Sequence, residues 1–172
     1  MWQDRDARHV LARAKRIMTL PSATGPEHAL KCELAEEVLR SSGHLRLQVT
    51  GWSMLPTICP GDTLVLESAM AADISEGDIV LFRRDRRLFV HRALARTSHD
   101  QWLTRGDAMP YTDSPIGDNE LLGRVLYLIR NGRCVEPGKS LSLSQRALAA
   151  LVRSSETAAR VIVGIHGMAA QV

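Results

Sequence analysis

A chain of 172 residues with 45% hydrophobic residues can bury a core within one domain that carries appendages. A net charge of +3 is too small to indicate nucleic acid or anionic lipid as a partner. The three cysteines (Cys32, Cys59 and Cys134) lack metal-ligand spacing, and their odd number argues against a disulfide framework. The composition therefore favours a globular protein of a reducing compartment.

Two short helices are predicted ahead of the first strand, and together they form an N-terminal helical extension over residues 1–42. The first helix, over residues 7–20, has an apolar face and a basic face. The second, over residues 27–41, places Leu30, Leu34 and Val38 on its apolar face. The linker between the helices is longer than the tight turn of a helix-turn-helix, so no nucleic-acid binding is expected.

Residues 43–138 contain short alternating segments separated by turns, which is typical of a β-rich domain. Asn131-Gly132, which lies between two apolar segments, is the strongest hairpin signal. Strands this short and evenly spaced predict a mainly β fold, a compact and partly open barrel. The predicted strands cover residues 45–49, 63–67, 77–82 and 87–94 and a last segment that begins at Gly123.

The C-terminal residues 139–172 are predicted to form an amphipathic helical tail. Ser142 and Gln145 have the spacing of a capping box, and arginines recur every seven residues from Arg146. The tail can lie on a membrane surface or pack on the barrel. Glycines in its most apolar part weaken the helix there and favour packing.

No apolar segment reaches the ~20 residues that cross a bilayer, and the N-terminus lacks the pattern of a secretory signal. We therefore expect neither a signal peptide nor a transmembrane helix. The expected localisation is cytoplasmic or peripherally membrane-associated, with membrane contact through the C-terminal tail.

A serine is presented in the connection between the first two predicted strands, in Gly51-Trp52-Ser53-Met54-Leu55-Pro56. Glycine permits sharp backbone geometry and proline stiffens the connection, so the hydroxyl can be exposed. A serine hydroxyl needs a neighbouring base to become a nucleophile. No lysine occurs between Lys31 and Lys139, and arginine cannot act as a base. His91, within an apolar strand, is therefore the candidate base, and a hydrogen-bonded core histidine is the alternative interpretation.

Several motifs agree with one family in order and spacing. Gly-Trp-Ser-Met-Leu-Pro-Thr, Gly-Asp-Ile-Val, Val-His-Arg, Thr-Arg-Gly-Asp and Gly-Arg-Val resemble the blocks of the type I signal peptidase family over residues 45–130. The sequence is most similar to the Ser-His branch of archaea, spore-formers and the endoplasmic reticulum. The resemblance implies a β-rich fold shared with LexA-type self-cleaving repressors, and a serine endopeptidase activity.

The resemblance also implies roles for individual residues. Ser53 matches the nucleophile and His91 the general base, while Asp113 and Asp107 match the two acidic positions of that branch. Asp113 is expected to orient the imidazole, and Asp107 to hold a turn or the loop of the active site. No cofactor and no metal are expected.

The substrate is expected to be a peptide or protein that binds as an extended strand and is cut after a small residue. Backbone N–H groups around Trp52, Ser53 and Met54 are expected to bind the oxyanion and the substrate. Usual members of the family are tethered by a membrane helix, and none is predicted here. A non-catalytic or self-cleaving regulatory module on the same fold is the alternative function.

Overall fold

The computed structural model describes residues 17–19 and 26–154, and it places eight strands in one sheet. In chain order the elements are β1 (Ile17–Thr19), α1 (Pro26–Ser42), β2 (His44–Gln48), β3 (Thr63–Ser68), β4 (Ile79–Arg84), β5 (Arg87–Arg96), β6 (Trp102–Arg105), β7 (Leu121–Arg130), β8 (Arg133–Val135) and α2 (Leu143–Ser154). A short 3-10 turn over Ala71–Asp73 lies between β3 and β4.

The strands follow the order β1-β2-β3-β7-β4-β5-β6, with β8 added to β7. β1 pairs with β2 in parallel, and every other pairing is antiparallel. Register shifts in the β3–β7, β4–β7 and β5–β6 pairings bend the strands, as β-bulges do. The two ends of the sheet do not pair with each other, so the sheet is not closed. The predicted fold class, mainly β with flanking helices, is confirmed.

Two tight hairpins connect neighbouring strands where the sequence predicts turns. Asp85 and Arg86 connect β4 to β5 with φ angles of 51° and 59°, and Asn131 and Gly132 connect β7 to β8 with φ angles of 51° and 73°. Positive φ at both central residues matches the twist of the flanking strands. The register of β5 against β4, which positions His91, follows from the first of these hairpins.

β4 is buried on both faces and separates two cores. Ile79 and Leu81 belong to the larger core, which α1 covers together with β2, β3 and β7. Val80 and Phe82 point to the opposite face and belong to a second core around Trp102. Alternate side chains of a strand point to opposite faces, so a short run of four apolar residues serves both cores.

Helix α1 has the predicted span, but its predicted apolar face is wrong at two of its three positions, since only Val38 of the three packs against the core. Leu30 and Leu34 are 56% and 47% exposed, whereas Cys32, Ala35 and Leu39 are buried in the larger core. Small side chains at Cys32 and Ala35 let the helix lie close to the sheet. The spacing of the leucines does not show that the face with small residues is the one that packs on the sheet. Because this face is part of the larger core, α1 packs together with the strands of the β-rich domain.

The first predicted helix, over residues 7–20, is wrong where the structure describes it. Ile17–Thr19 is strand β1, which pairs with Arg46–Gln48 of β2. Backbone hydrogen bonding to the edge of the sheet outweighs a weak helical periodicity, and Ile17 and Thr19 are β-branched residues that favour strands. The rest of this predicted helix lies outside the described residues.

Helix α2 confirms the predicted capping box. The Ser142 N–H donates to Oε1 of Gln145 at 2.9 Å, and the Gln145 N–H donates to Oγ of Ser142 at 3.3 Å. Ala149 and Val152 are buried, and Val152 packs in a small cluster with Leu55, Cys59 and Ala108. α2 therefore packs on the protein, which was the favoured alternative for the tail. The remainder of the tail lies outside the described residues.

Within the described residues, no helix has the length and apolar character needed to cross a membrane.

We predict that Leu81→Ala lowers the free energy of unfolding by about 2–5 kcal/mol, because Leu81 is fully buried and the truncation leaves a cavity. Urea denaturation of the full chain measures this change. Leu143→Ala is the matched control, since Leu143 is 83% exposed and its truncation leaves no cavity. A similar loss in both variants would contradict the assignment of the core.

Candidate active site

Ser53 lies in the connection between β2 and β3, and hydrogen bonds fix this connection at both ends. The Ser53 carbonyl accepts the N–H of Ala108 at 2.9 Å. Further along, the buried Asp62 carboxylate accepts the N–H of Cys59 at 2.7 Å and binds Arg130 through both oxygens, at 2.9 and 2.6 Å. The hydroxyl of Ser53 is therefore held by a stiff loop between two strands.

His91 lies in the middle of β5 and faces this hydroxyl. Its Nε2 is 3.2 Å from Oγ of Ser53, within hydrogen-bond distance. His91 is buried, and its ring packs beside Phe82 and Phe89, whose ring centroids lie 5.8 and 6.0 Å away. Aromatic neighbours on two sides restrict the imidazole to an orientation that points at Ser53.

Asp113 lies on the other side of the imidazole. Its Oδ2 accepts the hydrogen bond of His91 Nδ1 at 2.7 Å and that of Thr104 Oγ1 at 2.7 Å. Asp113 also donates its backbone N–H to the Thr104 carbonyl at 2.8 Å. A carboxylate accepting at Nδ1 places the imidazole proton on that nitrogen and leaves Nε2 to accept the proton of Ser53.

The environment of Asp113 keeps its carboxyl ionised. Burial alone raises the pKa of Asp113, but this effect is outweighed by the hydrogen bond and charge of His91, the hydroxyl of Thr104 and the charge of Arg84. Together these interactions hold the pKa of Asp113 below its ordinary value. The acid is therefore available as an acceptor throughout the neutral range.

Asp107 occupies a different place from Asp113. Its carboxylate accepts two hydrogen bonds from Arg92, at 2.9 and 2.8 Å, and one from the Thr57 hydroxyl at 2.5 Å. Both members of this ion pair are buried. Arg92 also donates to the carbonyls of Gly77 and Gly138, both at 2.8 Å. Asp107 contacts neither Ser53 nor His91 through these bonds, and it connects the 106–109 loop to β5 and to the Ser53 loop.

The Peptidase S24-like family matches residues 18–126, a range that contains Ser53, His91, Asp107 and Asp113. The chain belongs to the peptidase S24-like family. No curated protein matches it. Membership places the chain among serine peptidases and self-cleaving modules.

Gly106 is a residue of the S24-like site that sequence reasoning did not single out. A Cβ at this position would lie 2.6 Å from the Ser53 carbonyl oxygen and 3.1 Å from Nε2 of His91. No side chain fits there without moving the Ser53 loop or the His91 ring. Its place directly before Asp107 in Thr-Arg-Gly-Asp was the available signal, since glycine often marks a close approach of two backbones.

Arg92 and Thr104 were also missed as parts of the S24-like site. Arg92 is buried beside His91 in β5, and Thr104 is fully buried in β6 and holds Asp113. A charged residue within an apolar strand requires a carboxylate partner, and that requirement was the signal for Arg92. No feature of the sequence pointed to Thr104 in this way, because its role depends on how residues 106–113 return to β6.

The backbone N–H groups of Ser53 and Met54 donate no hydrogen bond to any described residue. Each therefore has a donor near the Ser53 hydroxyl that finds no acceptor in the described part of the chain. The Met54 side chain is buried in the larger core, whereas Trp52 is 45% exposed next to the serine. Among the predicted oxyanion and substrate residues, the loop thus offers two free donors and one exposed ring.

The described residues contain no group of three or more histidine, cysteine or acidic side chains that could hold a metal ion. Lys139, whose Nζ is 3.3 Å from Oδ1 of Asp78, belongs to an exposed ion pair. His91 is thus the candidate base, since it lies within hydrogen-bond distance of Ser53.

We predict that Asp113→Asn removes a stabilisation that depends on pH. Because the pKa of Asp113 is lowered on folding, the ionised group stabilises the folded state above its unfolded pKa, and this contribution is lost as the pH falls through the folded value. Denaturant titrations between neutral pH and acid should show the wild type and the variant converging as the pH falls. Glu33→Gln, which changes an exposed acid of α1, is the control. A gap that stays constant in acid would contradict the prediction.

Proposed function

We propose that the chain is a serine endopeptidase of the signal-peptidase type, in its Ser-His branch, that cuts a peptide or protein after a small residue. One observation carries the proposal: the contacts from Ser53 Oγ to His91 Nε2 at 3.2 Å and from His91 Nδ1 to Asp113 at 2.7 Å. A serine with a base, and a base with an orienting carboxylate, make up the constellation of nucleophilic serine hydrolysis.

The proposed reaction begins with attack of Ser53 Oγ on the carbonyl carbon of the scissile peptide, while Nε2 of His91 takes the hydroxyl proton. Asp113 accepts the Nδ1–H bond and stabilises the imidazolium. The C–N bond then breaks, His91 gives its proton to the leaving amine, and the acyl group stays on Ser53. A water molecule, deprotonated by His91, attacks this ester, and Ser53 recovers its proton as the acid product leaves.

The free N–H groups of Ser53 and Met54 support a role in stabilising the oxyanion. They flank the hydroxyl and donate to no described residue. One such donor typically stabilises the transition state by about 2.7–4 kcal/mol. The carbonyl of Ser53 is held by Ala108, which fixes the peptide plane that follows the nucleophile.

The substrate is proposed to bind as an extended strand along Gly51 and Trp52. Both residues are exposed, and their backbone N–H groups donate to no described residue. The outer edge of β6 is less suitable, because it already pairs with Asp113 and Ile116. Specificity for a small residue at the cut is taken from the resemblance to signal peptidases.

A self-cleaving or non-catalytic regulatory module remains the second candidate, because the S24-like family includes self-cleaving modules. The close contact between Ser53 and His91 favours catalysis over a purely binding role. Cleavage of another molecule and cleavage of the chain itself leave different products. Mass spectrometry of the protein after incubation therefore separates these two forms of catalysis.

We predict that the wild type cleaves members of a proteome-derived peptide library and that Ser53→Ala does not. His91→Gln should lower the rate by about 10²–10⁴-fold, because general base catalysis is lost. Mass spectrometry of the products, with circular dichroism to check folding, measures both effects. His99→Gln, a change at an exposed histidine in the turn after β5, should retain full activity. Equal cleavage by wild type and Ser53→Ala would remove the enzyme assignment.

We also propose a peripheral membrane contact through the C-terminal tail, whose sequence includes Val161-Ile162-Val163-Gly164-Ile165. If this segment inserts at the surface of a bilayer, a charge within it should oppose binding. Val163→Asp in the full chain is therefore predicted to lower co-sedimentation with lipid vesicles, and Ser155→Asp serves as a control with the same charge. Unchanged binding of Val163→Asp would exclude this contact.

A further inference from the structure

A cleft of about 520 Å³ is lined by residues of β5 and β6, among them Arg92 and Arg105. It is enclosed by the turn before β4, the paired strands β5 and β6, the segment that precedes α2, and α2 itself. Arg92, Ala93 and Leu94 of β5 line the cleft, whereas Ser53, His91 and Asp113 do not. Its volume falls within the range of small-ligand sites, about 300–1,000 Å³.

The lining of this cleft is strongly basic. Five cationic side chains face two carboxylates there, those of Glu76 and Asp107. The cationic residues are Arg92, Arg105, Lys139, Arg146 and Arg153. Lys139 pairs with Asp78 outside the cleft, at 3.3 Å. The remaining excess of positive charge therefore comes from arginine.

The arginines of the cleft are of two kinds. Arg92 already donates through all three of its guanidinium nitrogens, to Asp107, Thr57, Gly77 and Gly138. It has a structural role and little capacity for a ligand. Arg105, Arg146 and Arg153 have no recorded carboxylate partner among the described residues, although Arg146 donates to the Leu141 carbonyl at 3.2 Å. Within the part of the chain that the structure describes, no carboxylate therefore neutralises these three guanidinium groups.

Arg105 carries the clearest indication of a ligand. It lies directly opposite Arg92 in the β5–β6 pairing, and like charges in that position repel each other. Its Nε is buried and donates to no described group. Elsewhere in the sheet, Arg84, Arg124 and Arg130 each pair with a carboxylate, while Arg46 of β2 also has a buried Nε that donates to no described group. The geometry thus keeps an unpaired, partly buried guanidinium beside a second cation.

Helix α2 brings two further guanidiniums to the same cleft. Arg146 and Arg153 are seven residues apart, which places them two turns apart on nearly the same face. Ala149 and Val152, which lie beside this face on the helix, are buried and hold α2 against the protein. The cationic groups are therefore supplied by a strand and a packed helix that have fixed positions.

We propose that this cleft binds a phosphate-bearing anion through Arg105, Arg146 and Arg153. The planar fork of arginine matches phosphate oxygens in bidentate fashion. Three unpaired guanidiniums suit a phosphate group with its two negative charges better than a single carboxylate. A free phosphate compound and the headgroup of an anionic lipid present the same chemistry. This site is separate from Ser53 and does not depend on the proposed peptidase activity.

The test is titration of the purified full chain with inorganic pyrophosphate by calorimetry, against sodium chloride of the same ionic strength. We expect saturable binding at one site. Arg105→Gln and Arg146→Gln should each weaken it about tenfold, which is the usual effect of losing a hydrogen bond between charged groups. Arg133→Gln removes the same charge from an exposed position on β8 outside the cleft, and Ser53→Ala changes the other site. Both should bind as the wild type does.

Vesicles distinguish the two sources of the phosphate. Co-sedimentation with phosphatidylglycerol vesicles, but not with phosphatidylcholine vesicles, that is abolished by pyrophosphate and weakened by Arg105→Gln assigns the site to a lipid headgroup. Saturable pyrophosphate binding without such co-sedimentation assigns it to a soluble phosphate compound. Absence of saturable pyrophosphate binding, equal weakening by Arg133→Gln, or tighter binding of an acidic peptide would overturn the proposal.

Discussion

The alternation of side chains along β5 is the constraint on which both the Ser53–His91 contact and the Arg92–Asp107 ion pair depend. His91 points to the face that carries Ser53, and Arg92 points to the opposite face, where it binds Asp107. A shift of one residue in register would exchange the two groups. The hairpin at Asp85-Arg86 and the buried residues of β4 set this register, so the packing of the sheet decides which side chain meets the serine.

The buried pair of Arg92 and Asp107 has a structural consequence for the nucleophile. A charge buried without its partner is costly, so the carboxylate of Asp107 must remain at the guanidinium. That requirement fixes the loop at residue 107, and the neighbouring Ala108 N–H holds the carbonyl of Ser53. Gly106 permits the approach because it has no side chain. The position of Ser53 relative to His91 therefore depends on an ion pair that contacts neither residue.

The sequence predicted β2, β3, β4, β5 and β7, the Asn131-Gly132 hairpin and the three side chains that meet at the site, because each depends on local pattern or on a motif. Ser53 and His91 lie in separate motifs, and the structure brings them within 3.2 Å. What could not be predicted depends on long-range geometry. Thr104 matters only because residues 106–113 return to β6, and the buried face of α1 follows from its fit to the sheet.

The two acids of the Thr-Arg-Gly-Asp region show why spacing alone left their roles open. Asp107 and Asp113 lie in one short segment, yet one binds an arginine behind β5 and the other binds the imidazole in front of it. The segment leaves β6 at Gly106 and returns to pair with Thr104, so its two acids lie on opposite sides of the strand pair. Full pairing of Arg92 by the first acid leaves Arg105, its neighbour across the strands, without a carboxylate. This path of residues 106–113 thus places Asp113 at His91 and leaves Arg105, in the cleft, with no carboxylate among the described residues.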